Sequence, residues 1–165
     1  MSSIQLYPGD RLTWKGEELT DDSGFVIATA PTIAQAGSVQ SPTIALTDGE
    51  RIVLGRVKSF LHFHLEGRYE SAAPWTITQR GLTVTKFVAD CGGREYTLNR
   101  PRLTTLRREI RAVSGGSDEG VVAVVKPAAR GELQVFISGD VPVADIAFMT
   151  WALTLVDVPA RRTKI

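Results

Sequence analysis

The chain has 165 residues, 43% of them hydrophobic, which is enough for one domain with a real core and too few for two sizeable ones; residues 1–165 are read as one domain. Nineteen basic against 18 acidic residues leave a formal net charge of +1, so bulk charge favours neither nucleic acid nor an acidic membrane. One cysteine, Cys91, excludes an internal disulfide, and the opening MSSIQLYPGD lacks the basic start and apolar stretch of a signal peptide, so a reducing cytosol is the expected setting.

Turn signals recur at short spacing along most of the chain. Between them, β-branched and aromatic residues alternate with polar ones, the pattern of an antiparallel sandwich or barrel. Residues 12–14 and 25–29 flank the acidic turn Asp21-Asp22-Ser23-Gly24. Residues 30–42 are small, bracketed by prolines and read as a surface loop. Residues 44–46 and 52–57 flank Asp48-Gly49, the stronger hairpin signal. A further strand is expected at 60–65. Residues 75–78 and 82–89 meet across Arg80-Gly81, and Asp90-Cys91-Gly92-Gly93 turns the chain into 94–98. Trp75, Ile77, Leu82, Val84, Tyr96 and Leu98 keep the period of two of a strand.

Residues 103–113 fit two patterns. Leu103, Leu106, Ile110 and Val113 have helical spacing, while Arg108, Ile110 and Ala112 suit a strand; the strand is preferred because its neighbours are strands. Residues 114–117 form a flexible turn, residues 120–125 (GVVAVV) suit a strand covered on both faces, and residues 133–137 add one more.

The chain then changes character. Residues 143–158 (VADIAFMTWALTLVDV) leave no polar stripe, and a helix apolar on all sides must be enclosed on all sides. Its about 16 residues would span about 24 Å, short of the about 20 apolar residues of a membrane span. A buried core helix is the preferred reading, with a membrane-inserted helix and a buried strand as alternatives. Pro142 suits the first turn, Pro159 suits the stop, and Asp145 sits where the helix dipole favours an acid. Burying such a helix after so many strands requires the sheet to curl around it. The expected fold is mainly β: a closed antiparallel β-barrel wrapped around a buried C-terminal hydrophobic α-helix.

The closing order, Gly120-Val121-Val122-Ala123-Val124-Val125-Lys126, then Leu133-Gln134-Val135-Phe136-Ile137, then the apolar helix ending Leu155-Val156-Asp157, resembles the end of the tubby C-terminal-like superfamily. That group includes LURP-one-related proteins and phospholipid scramblases. The resemblance spans residues 120–157. It implies a closed barrel of about a dozen strands around a hydrophobic C-terminal helix. It also implies phosphoinositide-binding regulation or lipid scrambling as activities of the group. The chain lacks the Cys-rich insertion and Pro-rich tail of the scramblases, and no binding residue of the group carries over.

Two side-chain groups are candidates for chemistry. His62, His64 and Glu66 alternate along an expected strand, so all three project from one face, where two imidazoles and a carboxylate suit a metal ion. The arrangement resembles the HxH of cupins, but the third histidine of that pattern has no counterpart. The plainer reading is a polar strand face opposite Leu61, Phe63 and Leu65. The second group is Arg94, Arg100, Arg102, Arg107, Arg108 and Arg111, six arginines in 18 positions, with Arg161, Arg162 and Lys164 after the helix. Guanidinium forks match phosphate oxygens, so these residues point to an anionic lipid or another phosphate-bearing ligand. Few aromatic residues stand near them, which argues against nucleic acid. A solubilising strand face is the plainer reading. Cys91 beside Asp90 reads as a turn residue, and no activated nucleophile or phosphate-cradling loop is present.

The expectation is therefore a non-enzymatic binding or scaffolding domain without a cofactor, cytoplasmic and peripheral to a membrane if its ligand is a lipid. A small metal-dependent barrel using His62, His64 and Glu66, and a structural protein-interaction domain, are the alternatives.

Overall fold

Period-two alternation along the chain builds twelve strands in the computed structural model, which describes residues 3–31, 42–55, 62–69 and 73–158. The first six are β1 (Arg11–Lys15), β2 (Glu18–Asp21), β3 (Val26–Thr29), β4 (Thr43–Leu46), β5 (Arg51–Leu54) and β6 (His64–Tyr69). The second six are β7 (Trp75–Gln79), β8 (Lys86–Cys91), β9 (Arg94–Asn99), β10 (Arg108–Ser114), β11 (Ser117–Pro127) and β12 (Leu133–Ile137). Each pairs antiparallel with its neighbours in the chain, and β12 returns to β1 with Leu12 opposite Val135 and Trp14 opposite Leu133, closing the barrel. No strand edge is left exposed, as closure demands.

Up-and-down order sorts the connections to two ends. The β2–β3, β4–β5, β6–β7, β8–β9 and β10–β11 turns share the upper end; the β1–β2, β7–β8, β9–β10 and β11–β12 connections lie at the lower end. After β12 the chain crosses the upper end and descends through the barrel as α1 (Val143–Asp157). About eight strands give a barrel that side chains alone can fill, and diameter grows with strand number. Twelve therefore leave room for a helix, and every residue of α1 is buried there. The expected fold is the observed one.

Inward-facing residues of the strands meet the helix all round. Phe148 packs its ring edge-on against Trp75, 5.6 Å between centroids. Trp14 donates its indole N–H to Thr150 Oγ1 at 2.8 Å, and Trp151 donates to the Pro31 carbonyl at 3.1 Å. The Thr150 and Thr154 hydroxyls donate back to the carbonyls of Ile146 and Trp151, so the polar atoms of the helix are satisfied inside the lumen. Gly67 of β6 leaves room for the helix: a Cβ there would lie 2.7 Å from Phe148 and 3.1 Å from Ile52.

Several strand expectations shift. Trp75, Ile77, Tyr96 and Leu98 lie on strands as expected and face inward, but Leu82 is 99% exposed, because the Arg80 N–H bonds to the Lys86 carbonyl and closes a longer connection before β8 begins. The strand reading of 103–113 holds only from Arg108; Leu103 and Leu106 belong to the β9–β10 connection. The GVVAVV run is not covered on both faces: a register shift between Ile110 and Arg111 lets Val122 and Ala123 both turn inward, while Val121 and Val124 stay partly exposed. The strand expected at 60–65 is β6, displaced towards the C-terminus; 60 and 61 lie outside the described residues, as does most of the loop expected at 30–42. Cys91 is the last residue of β8 and points into the core rather than standing in a turn. Among the described residues no helix is long and apolar enough to cross a membrane.

Candidate functional site at the two barrel ends

Two acids, Asp145 and Asp157, interrupt an otherwise apolar helix, and a carboxylate carried into a core must be paired. Three of the six candidate arginines do the pairing. At the upper end Arg94, the first residue of β9, places its fork on Asp145, Nε to Oδ2 at 2.7 Å and Nη2 to Oδ1 at 2.8 Å. The Tyr96 hydroxyl, two residues along the same strand, donates to Asp145 Oδ2 at 2.5 Å. Asp145 is fully buried, whereas about half of the Arg94 side chain reaches water. Burial and the Asp145 charge push the Tyr96 phenol well above its ordinary range, and the same two causes raise the neighbouring Cys91 thiol. The bonds to Asp145 hold the Arg94 guanidinium protonated more firmly still.

At the lower end Arg108 is wholly buried and uses all five of its N–H groups. Nε and Nη2 donate to Asp157 at 2.8 and 2.7 Å, Nη2 also to the Val84 carbonyl, and Nη1 to the carbonyls of Thr85 and Leu98. Its guanidinium carbon stands 5.0 Å over the Phe87 ring. Arg100 adds a second cation, Nη2 to Asp157 Oδ1 at 2.8 Å, while its buried Nε–H has no acceptor among the described residues.

The other three arginines lie outside the core. Arg111 bridges Glu109 and Asp118 on the outer face of β10, at 3.2 and 3.0 Å. Arg107 approaches Glu109 only to 3.7 Å. Arg102 is exposed, with no ion-pair partner among the described residues. The six thus divide between a structural set (Arg94, Arg100, Arg108), an outer-face pair system (Arg107, Arg111 with Glu109) and Arg102, rather than forming one surface. Arg161, Arg162 and Lys164 lie outside the described residues.

The lower rim assembles a different group that spacing did not reveal. The β7–β8 connection (residues 80–85) and the β9–β10 connection (residues 100–107) lie side by side, tied by the Arg100 N–H to the Thr85 carbonyl at 2.9 Å and by the Arg108 bonds to Val84 and Thr85. Neither connection contains an acid. Arg80 and Lys86 are exposed and, like Arg102, lack an ion-pair partner among the described residues. Leu82, Leu103 and Leu106 are 99%, 84% and 52% exposed. The upper end is richer in acids: Asp10, Asp22, Asp48, Glu50 and Asp140 stand on or beside its connections, together with Arg11, Arg51 and Arg94. A cavity of about 590 Å³ opens there between Ile4, Leu6, Arg94, Val113 and Val141.

The histidine group does not converge. His64 and Glu66 share the outer face of β6, with His64 Nε2 3.1 Å from Glu66 Oε1 and Nδ1 2.9 Å from the Thr78 hydroxyl. His62 is exposed in the bend before the strand. Among the described residues no three His, Cys, Asp or Glu side chains stand close enough to hold a metal ion. Asp21, expected as a turn residue, is the last residue of β2 and holds the turn that follows: its Oδ1 accepts from the Ser23 N–H and hydroxyl and from the Phe25 N–H, which holds its carboxyl below the usual range. No protein-family model, curated protein or solved structure matches this chain.

Proposed function

We propose that this protein is a non-enzymatic binding module of the tubby C-terminal-like kind that takes a phosphate-bearing anion at its lower rim. The observation that carries the proposal is the pair of acid-free connections that, with Lys86 at the start of β8, present Arg80, Lys86 and Arg102 as exposed cations without an ion-pair partner among the described residues, beside the loosely held Arg107. Guanidinium forks suit phosphate oxygens, and charge-assisted hydrogen bonds of this type are roughly twice as strong as neutral ones. The twelve-stranded barrel around its helix is consistent with the tubby-like fold and supports the kinship. The non-enzymatic reading draws support from the polar groups inside: Asp145, Tyr96, Arg108 and Asp157 are occupied with one another. Cytoplasmic placement follows from the proposed ligand class.

Calorimetric titration with inositol hexakisphosphate, a soluble and densely charged probe, tests the reading. Binding that weakens as salt rises, and falls at least tenfold in the double variant Arg80→Ser/Arg102→Ser, is the expected result. No heat at low salt, or binding indifferent to those two substitutions, overturns it.

A further inference from the structure

The exposed leucines have no part in holding a soluble anion. A leucine that stays in water forgoes a burial worth a tenfold or larger factor in an equilibrium, and three of them share two adjoining connections at one end of the barrel axis. Around them, besides Gly81, Val84 and Pro101, stand cations and threonines: the sequences are RGLTVT, followed by Lys86, and RPRLTTLR, followed by the buried Arg108. Apolar tips within a basic collar match a surface that is apolar at depth and anionic at its boundary. No aromatic residue stands on either connection to stack on a base, which separates this rim from a single-stranded nucleic-acid platform. Charge is also uneven along the axis: Asp22, Asp48 and Asp140 stand at the upper end, whereas the two lower connections that carry the leucines hold bases and no acid, with Glu17 and Glu132 confined to the other lower connections, so an anionic sheet is drawn to this side of the rim.

From these observations we infer that the partner at the lower rim is an anionic lipid bilayer, met end-on. Leu82, Leu103 and Leu106 enter the boundary of the hydrocarbon, and Arg80, Lys86, Arg102 and Arg107 lie at the level of the lipid phosphates. This rests on the phosphate-binding reading above and adds the source of the phosphate and the orientation of the barrel. The buried lock of Arg108 and Asp157 lies behind the two connections: Arg108 holds the β7–β8 connection at Val84 and Thr85, and Arg100 ties the start of the β9–β10 connection to Asp157, so the leucines are carried on a braced rim.

Sedimentation with sucrose-loaded vesicles of phosphatidylcholine containing about 30% phosphatidylserine, beside vesicles of phosphatidylcholine alone, provides the test. The full chain is compared with Leu82→Ser/Leu103→Ser, whose positions are exposed and whose folding is checked by circular dichroism. The wild type is expected to sediment with the anionic vesicles only, and the leucine variant to lose tenfold or more of that partition while binding inositol hexakisphosphate as before. In a second measurement, Leu103→Trp is expected to shift its emission to the blue on the anionic vesicles and to be quenched by brominated acyl chains. Wild-type binding to inositol hexakisphosphate without vesicle binding overturns the bilayer and leaves the anion site standing. Vesicle binding unchanged by the leucine substitutions, or equal on neutral vesicles, also overturns it, and so does a leucine-dependent self-association seen by light scattering, which would make the rim a protein interface. Failure of the soluble probe to bind at all instead overturns the reading on which the inference rests.

Discussion

The two ends of α1 solve one electrostatic problem in different ways. Asp145 lies in the first turn, where unpaired N–H groups and the helix dipole already favour a negative charge. One half-exposed arginine and a phenol complete its shell. Asp157 is the last residue of the helix, where the dipole opposes a carboxylate, and there two guanidiniums are brought in, one of them without any contact with water. Positive charge on the barrel wall is heaviest where the helix itself supplies none. The lower lock also reaches beyond the helix, because Arg108 binds the carbonyls of Val84, Thr85 and Leu98 and so ties two connections to the core.

The sharpest test of that difference is to remove each carboxylate in turn. Asp157→Asn leaves a fully buried guanidinium facing a neutral amide, and breaking such a pair from one side costs about 3–5 kcal/mol. Urea denaturation followed by tryptophan emission is expected to show a loss of that size. Asp145→Asn is expected to cost less, about 2 kcal/mol, because Arg94 can turn towards water and the amide can still accept from Tyr96. Equal losses at the two positions would remove the role assigned to the dipole and to burial.

Much of this architecture is visible in the chain before any folding is considered. The apolar run from Val143 has no face to leave in water, so a sheet closed around it is the preferred arrangement, beside a membrane-inserted helix and a buried strand. The two acids within the run were visible too, and a buried carboxylate calls for a cation. Which cation could not be read, since Asp145 and Arg94 are 51 residues apart and Asp157 and Arg108 are 49 apart, distances bridged only by the barrel register. The arginines were legible as a cluster in sequence, yet β9 and β10 run in opposite directions, which sends Arg94 to the upper end and Arg100 and Arg108 to the lower. Leu82 and Leu103 kept the apolar periodicities of a strand and a helix while belonging to neither. Periodicity reports a side chain's type and spacing, and Leu82 satisfies it although no strand pairing reaches back to it.

The smallest expected effect separates the two ends by pH. Among the described residues Asp157 is held by the two arginines Arg100 and Arg108. Asp145 is held in part by Tyr96, whose phenol burial and the aspartate charge raise above its ordinary value of 10.0; Cys91 beside it is raised from 9.0 for the same reasons. Both groups stay protonated in the folded protein after the unfolded chain has lost those protons. The native state therefore binds more protons above about pH 9, and stability is complete below that value and falls as pH rises. The thiol contributes first and the phenol above about pH 10. Tyr96→Phe is expected to cost about 1 kcal/mol at neutral pH, through the lost hydrogen bond to Asp145, and to remove the second part of the alkaline decline. While folded, wild type and Tyr96→Phe are expected to superimpose in tyrosinate absorbance, because the phenol they differ by does not ionise. A phenol that ionised near 10 in the folded wild type, or an alkaline decline unchanged in Tyr96→Phe, would place the titrating group elsewhere than the upper end.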